Sequence, residues 1–239
     1  MASREELQLL REARTGNAAS QYALGKRYLF GSKSLPKSLP TALHWLGRAA
    51  AQDNTDAMLL IGEHFSFDTV QTFHDRPMLE SWYRTAFRQG SMNAGFTLAK
   101  LILASDTAND GKRHAEALGI LESVARHDIP EAQWLLAELV RDSQKQSPVK
   151  SHALEWTVRA ADAGIVDAQM ALTSHAWENA DYDTFIRHGL PIARAILKNR
   201  IQTDTAALDE ASVHLLVRCG KLLAEEKGHQ DEIPAMWEI

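Results

Sequence analysis

The sequence contains a single cysteine, Cys219, among its 239 residues. One thiol excludes an internal disulfide framework and a zinc site built from several cysteines, and Cys219 is interpreted as a small apolar side chain that fills space. No stretch approaches the roughly 18 uninterrupted apolar residues that a membrane span requires. The first residues, MASREELQLLREARTG, lack the apolar core of a secretory signal, which favours a cytoplasmic protein.

The chain also lacks a long run of charge of one sign. It carries 26 Lys and Arg against 31 Asp and Glu, for a net charge of −5. This balance disfavours nucleic acid or an anionic membrane as the main partner. Apolar residues make up 45% and charged residues 24% of the sequence, so we expect a soluble protein with a sizeable core.

Catalytic and nucleotide-binding motifs are absent as well. The sequence has no Gly-x-Gly-x-x-Gly, no Gly-Lys-Ser/Thr loop, no His-Glu-x-x-His and no Gly-x-Ser-x-Gly, and its ten histidines form no close pair at helical ligand spacing. Glu178, Asp181 and Asp183, with His188 nearby, leave open a metal-dependent enzyme, although a solvated turn is favoured because the register of a calcium loop is missing. We therefore predict no catalytic residue, no metal and no cofactor.

What the sequence does contain is an internal repeat. Its first template has a small residue, a large apolar residue two positions later, an aliphatic residue at four and a small residue at five. Successive copies start at steps of 37, 37, 38 and 36 residues. The five copies are Ser20, Tyr22, Leu24, Gly25; Ala57, Leu59, Ile61, Gly62; Ala94, Phe96, Leu98, Ala99; Ala132, Trp134, Leu136, Ala137; and Ala168, Met170, Leu172, Thr173.

A second template follows each of the first four starts, with a large side chain followed by small residues four and five positions later. The large residues Trp45, Trp82, Ile120 and Trp156 stand at steps of 37, 38 and 36. Offsets of three, four and five describe one face of an α-helix, so each unit is a pair of helices. The small positions let neighbouring helices approach closely, and we expect Trp45, Trp82 and Trp156 to be buried as wedges between consecutive pairs.

These patterns resemble the Sel1-like repeat family, a relative of the tetratricopeptide repeats. The first-helix pattern is present as SQYALGKRY and AMLLIGEHF, and the second-helix pattern as ALHWLGRAAAQD, LESWYRTAFRQG and ALEWTVRAADAG. The resemblance covers roughly Asn17 to Ala176. It implies an all-α fold, a right-handed α/α superhelix that acts as an adaptor or scaffold for protein complexes, and no catalytic residues.

The ends of the array depart from this pattern. We expect residues 1–16 to form an amino-terminal capping helix, residues 17–176 to form about five repeats, and residues 177–239 to form a divergent repeat and further helices of the same solenoid. Gly189 and Pro191 are expected to interrupt the helix that follows Ala176, with Phe185 as its ring or no ring at all. A last long helix is expected to begin at Asp204 or Thr205 and to end before Gly228.

In such a superhelix the first helix of each pair lines the concave side. We therefore predict a groove that binds a protein or peptide. The residues placed in it are Lys26, Arg27, Leu60, Glu63, His64, Thr97, Lys100, Leu135 and Glu138, together with Ala23, Leu101 and Leu139.

The alternative interpretation is that these residues are ordinary solvated helix positions that form no binding groove. A second alternative function is a self-associating structural subunit of a larger bacterial complex, in which the carboxyl-terminal end around Trp237 mediates homo-oligomerisation. The last stretch, QDEIPAMWEI, either folds back on the last helix or belongs to a longer array, and the second reading is favoured.

Overall fold

The computed structural model describes residues 4–32, 35–71, 73, 75–105, 111–143, 150–203 and 209–225. Within these ranges the chain forms α-helices and no strand. The helices are α1 Arg4–Arg14, α2 Ala18–Phe30, α3 Leu39–Ala50, α4 Thr55–His64, α5 Phe67–Val70, α6 Arg76–Arg88, α7 Met92–Ser105, α8 Gly111–Ala125, α9 Pro130–Ser143, α10 Lys150–Asp162, α11 Val166–Glu178, α12 Tyr182–Thr203 and α13 Glu210–Glu225.

The helices form two compact units, Met1–His127 with α1 to α8 and Asp128–Ile239 with α9 to α13. In the first unit α2 packs against α3, α4 against α6 and α7 against α8; in the second, α9 packs against α10 and α11 against α12. These are the five helix pairs that the sequence predicts. The expected capping helix is α1, which packs on α2, and α13 packs on α12. The short helix α5, inserted between α4 and α6, has no counterpart in the sequence expectation.

Each unit of the repeat begins with the same turn. A residue with positive φ precedes the first helix, and these residues follow one another at steps of 37, 37, 38 and 36: Gly16, Asp53, Gly90, Asp128 and Gly164. In the first two repeats the next residue caps the helix, since the side-chain oxygens of Asn17 and Asn54 each accept a backbone N–H bond at 2.9 Å. The period found in the side chains is therefore also a period of the backbone.

The same turn recurs once inside a pair, between α11 and α12. Ala180 has a φ of 55°, and the N–H of Asp181 donates to the carbonyl of Ala176, which is the bond of a Schellman motif. A side chain in this left-handed region costs roughly 1–2 kcal/mol, because Cβ crowds the neighbouring carbonyl. Ala180 is thus a strained position that a glycine would relieve.

We predict that Ala180→Gly raises the free energy of unfolding by about 0.5–1 kcal/mol, since relief of this strain exceeds the entropy that glycine loses on folding. Thermal unfolding followed by circular dichroism measures the change. The control is Ala171→Gly in the interior of α11, where the backbone is helical and the same substitution should cost about 1 kcal/mol. Equal losses in both variants would contradict the prediction.

Close approach between helices occurs at the small positions of the first template. A Cβ added to Gly62 would lie 2.5 Å from the Cβ of Ala86 and 2.8 Å from that of Ala94, so α4 lies directly against both α6 and α7. A Cβ added to Gly25 would lie 3.0 Å from the backbone nitrogen of Leu46. The prediction that these positions bring helices together is confirmed.

The glycines of the first unit provide a matched pair of variants. Gly62→Ala should lower the free energy of unfolding by about 1–3 kcal/mol, because the added methyl group overlaps side chains of two neighbouring helices. Gly119→Ala in α8 should instead raise it by about 0.5–1 kcal/mol, because its added Cβ meets nothing within 4 Å. Chemical denaturation compares the two, and changes of the same sign would refute this account of the helix spacing.

The tryptophan rings follow the expectation in two cases of three. Trp82 and Trp45 are buried, with 2% and 9% of their surface exposed, and each packs in an apolar cluster of the first unit. Trp156 in the second unit is only half buried, which departs from the expected wedge. The guanidinium of Arg159 lies over this ring, 4.9 Å from its centroid.

The divergent end differs from the sequence expectation at two points. α12 continues through Gly189 and Pro191 without interruption, so the predicted break is wrong. Pro191 is exposed, and Gly189 lies against α11, where an added Cβ would be 2.8 Å from Cγ2 of Thr173. Phe185 is fully buried and is the ring of the fifth pair.

The helix α13 begins at Glu210, and Asp209 caps it by accepting a bond from the Ser212 N–H at 2.7 Å. This bond and a second from the Ser212 hydroxyl hold the pKa of Asp209 below its usual value. The expected cap at Asp204 or Thr205, the expected end at Gly228 and the last stretch with Trp237 lie outside the described residues.

Candidate functional site

In the first unit the predicted groove residues lie on α2, α4 and α7. α4 packs against α7, and α2 contacts α4, so the first helices are neighbours as the repeat requires. Lys26, Glu63 and His64 are exposed, while Arg27, Leu60 and Lys100 are half-buried. The three helices thus present these six side chains to solvent, in full or in part.

Thr97 does not belong to this surface. It is 4% exposed, and Leu101 on the same helix is fully buried, so their assignment to a groove is wrong. The reason is that α7 packs against α4, α5, α6 and α8, which cover more of its circumference than two neighbours would. A position that is open on α4 is therefore closed on α7.

The structure places aromatic side chains at this surface that the sequence analysis did not predict there. Phe30, at the end of α2, is 55% exposed and meets the His64 ring edge-on at a centroid distance of 5.2 Å. The Nζ of Lys100 lies 4.8 Å from the Phe67 ring and 5.6 Å from the Phe96 ring. The contact with Phe96 could have been predicted from the sequence, because Phe96 lies one helical turn before Lys100. The contact with Phe67 could not, because Phe67 lies on the unpredicted helix α5.

The inserted segment is held in place by contacts with α6. The hydroxyl of Tyr83 donates to the carbonyl of Phe65 at 2.6 Å, and burial raises the pKa of this phenol. Phe73, after α5, meets the Trp82 ring at 5.5 Å. Because both ends of the segment are anchored, Phe67 stays beside Lys100.

We call the surface made by Lys26, Arg27, Phe30, Glu63, His64 and Lys100 the first-helix face. Among the residues that the structure describes, none of its three cations Lys26, Arg27 and Lys100 pairs with a carboxylate, although Arg84 and Arg113 nearby on α6 and α8 do. Glu63 is the single acidic member of the face. The face is therefore cationic with an exposed aromatic edge, on a chain whose net charge is −5.

In the second unit the predicted residues Leu135 and Glu138 lie on α9, and both are half-buried together with Leu139. Nη2 of Arg141 is 3.9 Å from Oε1 of Glu138, and its guanidinium lies 5.7 Å from the Trp134 ring. The carboxylate of Glu138 is partly neutralised by this neighbour. α9 thus presents a small mixed patch of its own.

The residues considered for a metal site do not assemble. Asp181 accepts the backbone N–H of Thr184 at 3.2 Å as the cap of α12, and the bonds from Thr184 hold the pKa of Asp181 below its usual value. Glu178 and Asp183 are exposed, whereas His188 is buried and lies 3.6 Å from Asp162 of α10. Within the described part of the chain, no group of three His, Cys, Asp or Glu side chains is arranged to hold a metal ion.

Cys219 is buried at 2% exposure and packs with Phe185 and Leu215, as expected for a space-filling side chain. Burial raises the pKa of its thiol to about 11. The thiol therefore stays protonated in the folded protein up to about pH 11. The stability linked to this raised pKa is fully present below the pKa of the thiol in the unfolded chain and is lost as the pH rises from there through about 11.

At pH 8 we predict that Cys219 reacts with iodoacetamide about 100-fold more slowly in the folded protein than in the unfolded chain, because the thiolate is the nucleophile. Mass spectrometry of the alkylated protein, with and without denaturant, measures the two rates. Rapid alkylation in the absence of denaturant would show that the thiol is accessible and would contradict its burial.

For the residues that the structure covers, none of the helices combines the length and the apolar character needed to cross a bilayer.

Comparison with known proteins agrees with this architecture. The model of the Sel1 repeat family matches residues 18–54 and 130–165, one segment in each unit, which correspond to the pairs α2 with α3 and α9 with α10. None of the curated proteins matches the sequence.

Two solved structures are similar to the chain. One is a Sel1 repeat protein from Oxalobacter formigenes, with 23% identity, 70% of this chain and 66% of that chain covered and a TM-score of 0.46. The other is c5321, a protective antigen of uropathogenic Escherichia coli strains with an SLR fold, with 18% identity, coverage of 92% and 51%, and a TM-score of 0.55. The chain thus spans about two thirds and one half of their lengths.

Helix pairs repeated at this period, with c5321 as a neighbour in fold, define an all-α repeat protein of the solenoid class. Proteins of this class mediate protein interactions through the surfaces of their helices. The segments matched in the two units, residues 18–54 and 130–165, are similar to Sel1 repeats. The resemblance expected from the sequence is confirmed.

Proposed function

We propose that the chain is a non-catalytic adaptor that binds an acidic segment of a partner protein on the first-helix face. The observation that carries the proposal is the set of cations on that face, Lys26, Arg27 and Lys100, without carboxylate partners in the described part of the chain. Lys100, which lies beside the Phe67 and Phe96 rings, loses part of its hydration there and is ready to accept a carboxylate. No cofactor takes part.

The aromatic side chains supply the apolar part of the contact. Phe30 exposes more than half of its surface beside His64, and an exposed ring of this size is a natural anchor for an apolar side chain of the partner. Leu60 lies on the same helix as Glu63 and His64 and extends the apolar strip. An extended or helical peptide with alternating acidic and apolar residues fits this surface best.

Leu135 and Glu138 remain part of the proposal as a separate contact patch on α9 of the second unit. Their mixed character suits an amphipathic segment of a partner protein. The cytoplasmic location and the absence of catalysis stay predictions of the same proposal.

The first test selects phage-displayed random peptides on the purified protein. We expect the selected peptides to be enriched in Asp and Glu with apolar neighbours, because the face offers cations and aromatic edges. The triple variant Lys26→Gln, Arg27→Gln, Lys100→Gln should then bind the selected peptides at least about tenfold more weakly, which corresponds to about 1.4 kcal/mol.

The matched control is the triple variant Lys37→Gln, Arg88→Gln, Lys198→Gln. It removes the same number of positive charges from exposed positions outside the face and should bind as the parent does. Both variants should unfold at the temperature of the parent. Selected peptides without acidic residues, or equal weakening in both variants, would refute the first-helix face as the binding surface.

A further inference from the structure

A second surface lies on the other side of the helix pairs in the first unit, between the second helices α3 and α6. It is an open cleft of about 790 Å³, and most of its lining is apolar. Its lining residues are Leu39, Pro40, Leu43, His44, Gly47, Arg48, Ala51, Thr69, Phe73, Met78 and Trp82. None of them belongs to the first-helix face.

Gly47 and the Trp82 ring form the bottom of the cleft. A Cβ added at Gly47 would lie 3.5 Å from the edge of the ring, in ordinary van der Waals contact with it. Leu39 and Met78 also line the cleft, with 37% and 38% of their surface exposed. Large apolar side chains left open in this way are typical of an interaction site.

The charges of the lining indicate what the cleft would take. Its ionisable members are Arg48 and His44, and it contains no carboxylate. The guanidinium of Arg48 lies 5.5 Å from the Trp45 ring and, among the described residues, pairs with no carboxylate. The complement of such a cleft is an apolar segment that carries negative charge.

The chain itself contains a segment of this chemistry. Residues 230–239, QDEIPAMWEI, carry Asp231, Glu232 and Glu238 and no Lys, Arg or His, together with five apolar side chains and a proline. Trp237 could fill the floor beside Trp82, as aromatic anchors do at interface centres. The acidic residues on either side of Trp237 would then meet Arg48.

We propose that the cleft between α3 and α6 binds residues 230–239 of a second copy of the chain. Two copies that exchange these segments bury both of them and leave neither cleft open, so the exchange closes as a symmetric dimer. This proposal is independent of the first-helix face, and the failure of either leaves the other standing.

The test uses light scattering of the full chain over a concentration range of about 1 to 100 µM, where a dimer of this kind becomes concentration-dependent. The parent is expected to dimerise. Trp237→Ala, which removes the anchor, and Arg48→Glu, which reverses the charge of the cleft, are each expected to raise the dissociation constant at least about tenfold. Arg88→Glu, an exposed position of α6 outside the cleft, is the charge-matched control and should dimerise as the parent does.

Mixing the two variants separates docking in trans from other modes of association. A chain with Trp237→Ala retains its cleft and a chain with Arg48→Glu retains its segment, so one of the two contacts can form between them. We expect the mixture to associate more tightly than either variant alone. A synthetic peptide of residues 230–239 should dissociate the parent dimer.

Several outcomes would overturn the proposal. They are a parent that stays monomeric across the range, a dimer that survives both substitutions, and a mixture that associates no better than its components. A monomeric parent that does not bind the synthetic peptide, together with a Trp237→Ala variant that does bind it, would place the segment in the cleft of its own chain and would equally exclude the second copy. Unchanged melting temperatures of Arg48→Glu and Arg88→Glu show that the comparison reports association and not unfolding.

Discussion

The spacing between α4 and its neighbours α6 and α7 is the constraint on which the first unit depends. At Gly62 the backbone of α4 comes so close to Ala86 and Ala94 that no side chain fits between them. The large ring of Trp82 is buried elsewhere on α6, beside Gly47 of α3 and Phe73. Since interiors are packed as densely as organic crystals, small and large positions are fixed together and recur together along the chain.

The turns between the helix pairs are the second feature that fixes the register of the repeat. A residue in the left-handed region of backbone conformation reverses the chain. In the first two repeats an Asn then caps the next helix. Each turn therefore ends one helix and starts the following one at a fixed register, so that the small positions of successive pairs meet. The period near 37 is thus the length of two helices plus two connections, and it is maintained by backbone geometry as much as by side-chain packing.

The sequence predicts the pairs and their close contacts because both depend on a few residues at helical spacing that are repeated five times. It does not predict α5, because four residues carry no helical period and their position depends on the hydrogen bond between Tyr83 and Phe65. It misplaces Thr97, because burial depends on how many helices surround α7. The charged residues of the first-helix face follow from their register along the helices. The contact of Lys100 with Phe67, which lies outside the face, depends on the insertion of α5.

Packing and binding thus use different residues of the same helices. The positions that recur are mostly small or apolar and are buried or half-buried, so the repeat places almost no restriction on Lys26, Glu63 or Arg48, which lie between them. The connection between α4 and α6 shapes both surfaces of the first unit, since Phe67 lies beside Lys100 while Thr69 and Phe73 line the cleft. A change of length in this one connection would alter both surfaces and leave the helix spacing intact, because none of the small positions at the helix contacts belongs to it. Binding specificity in this repeat can therefore change through a connection while the fold remains the same.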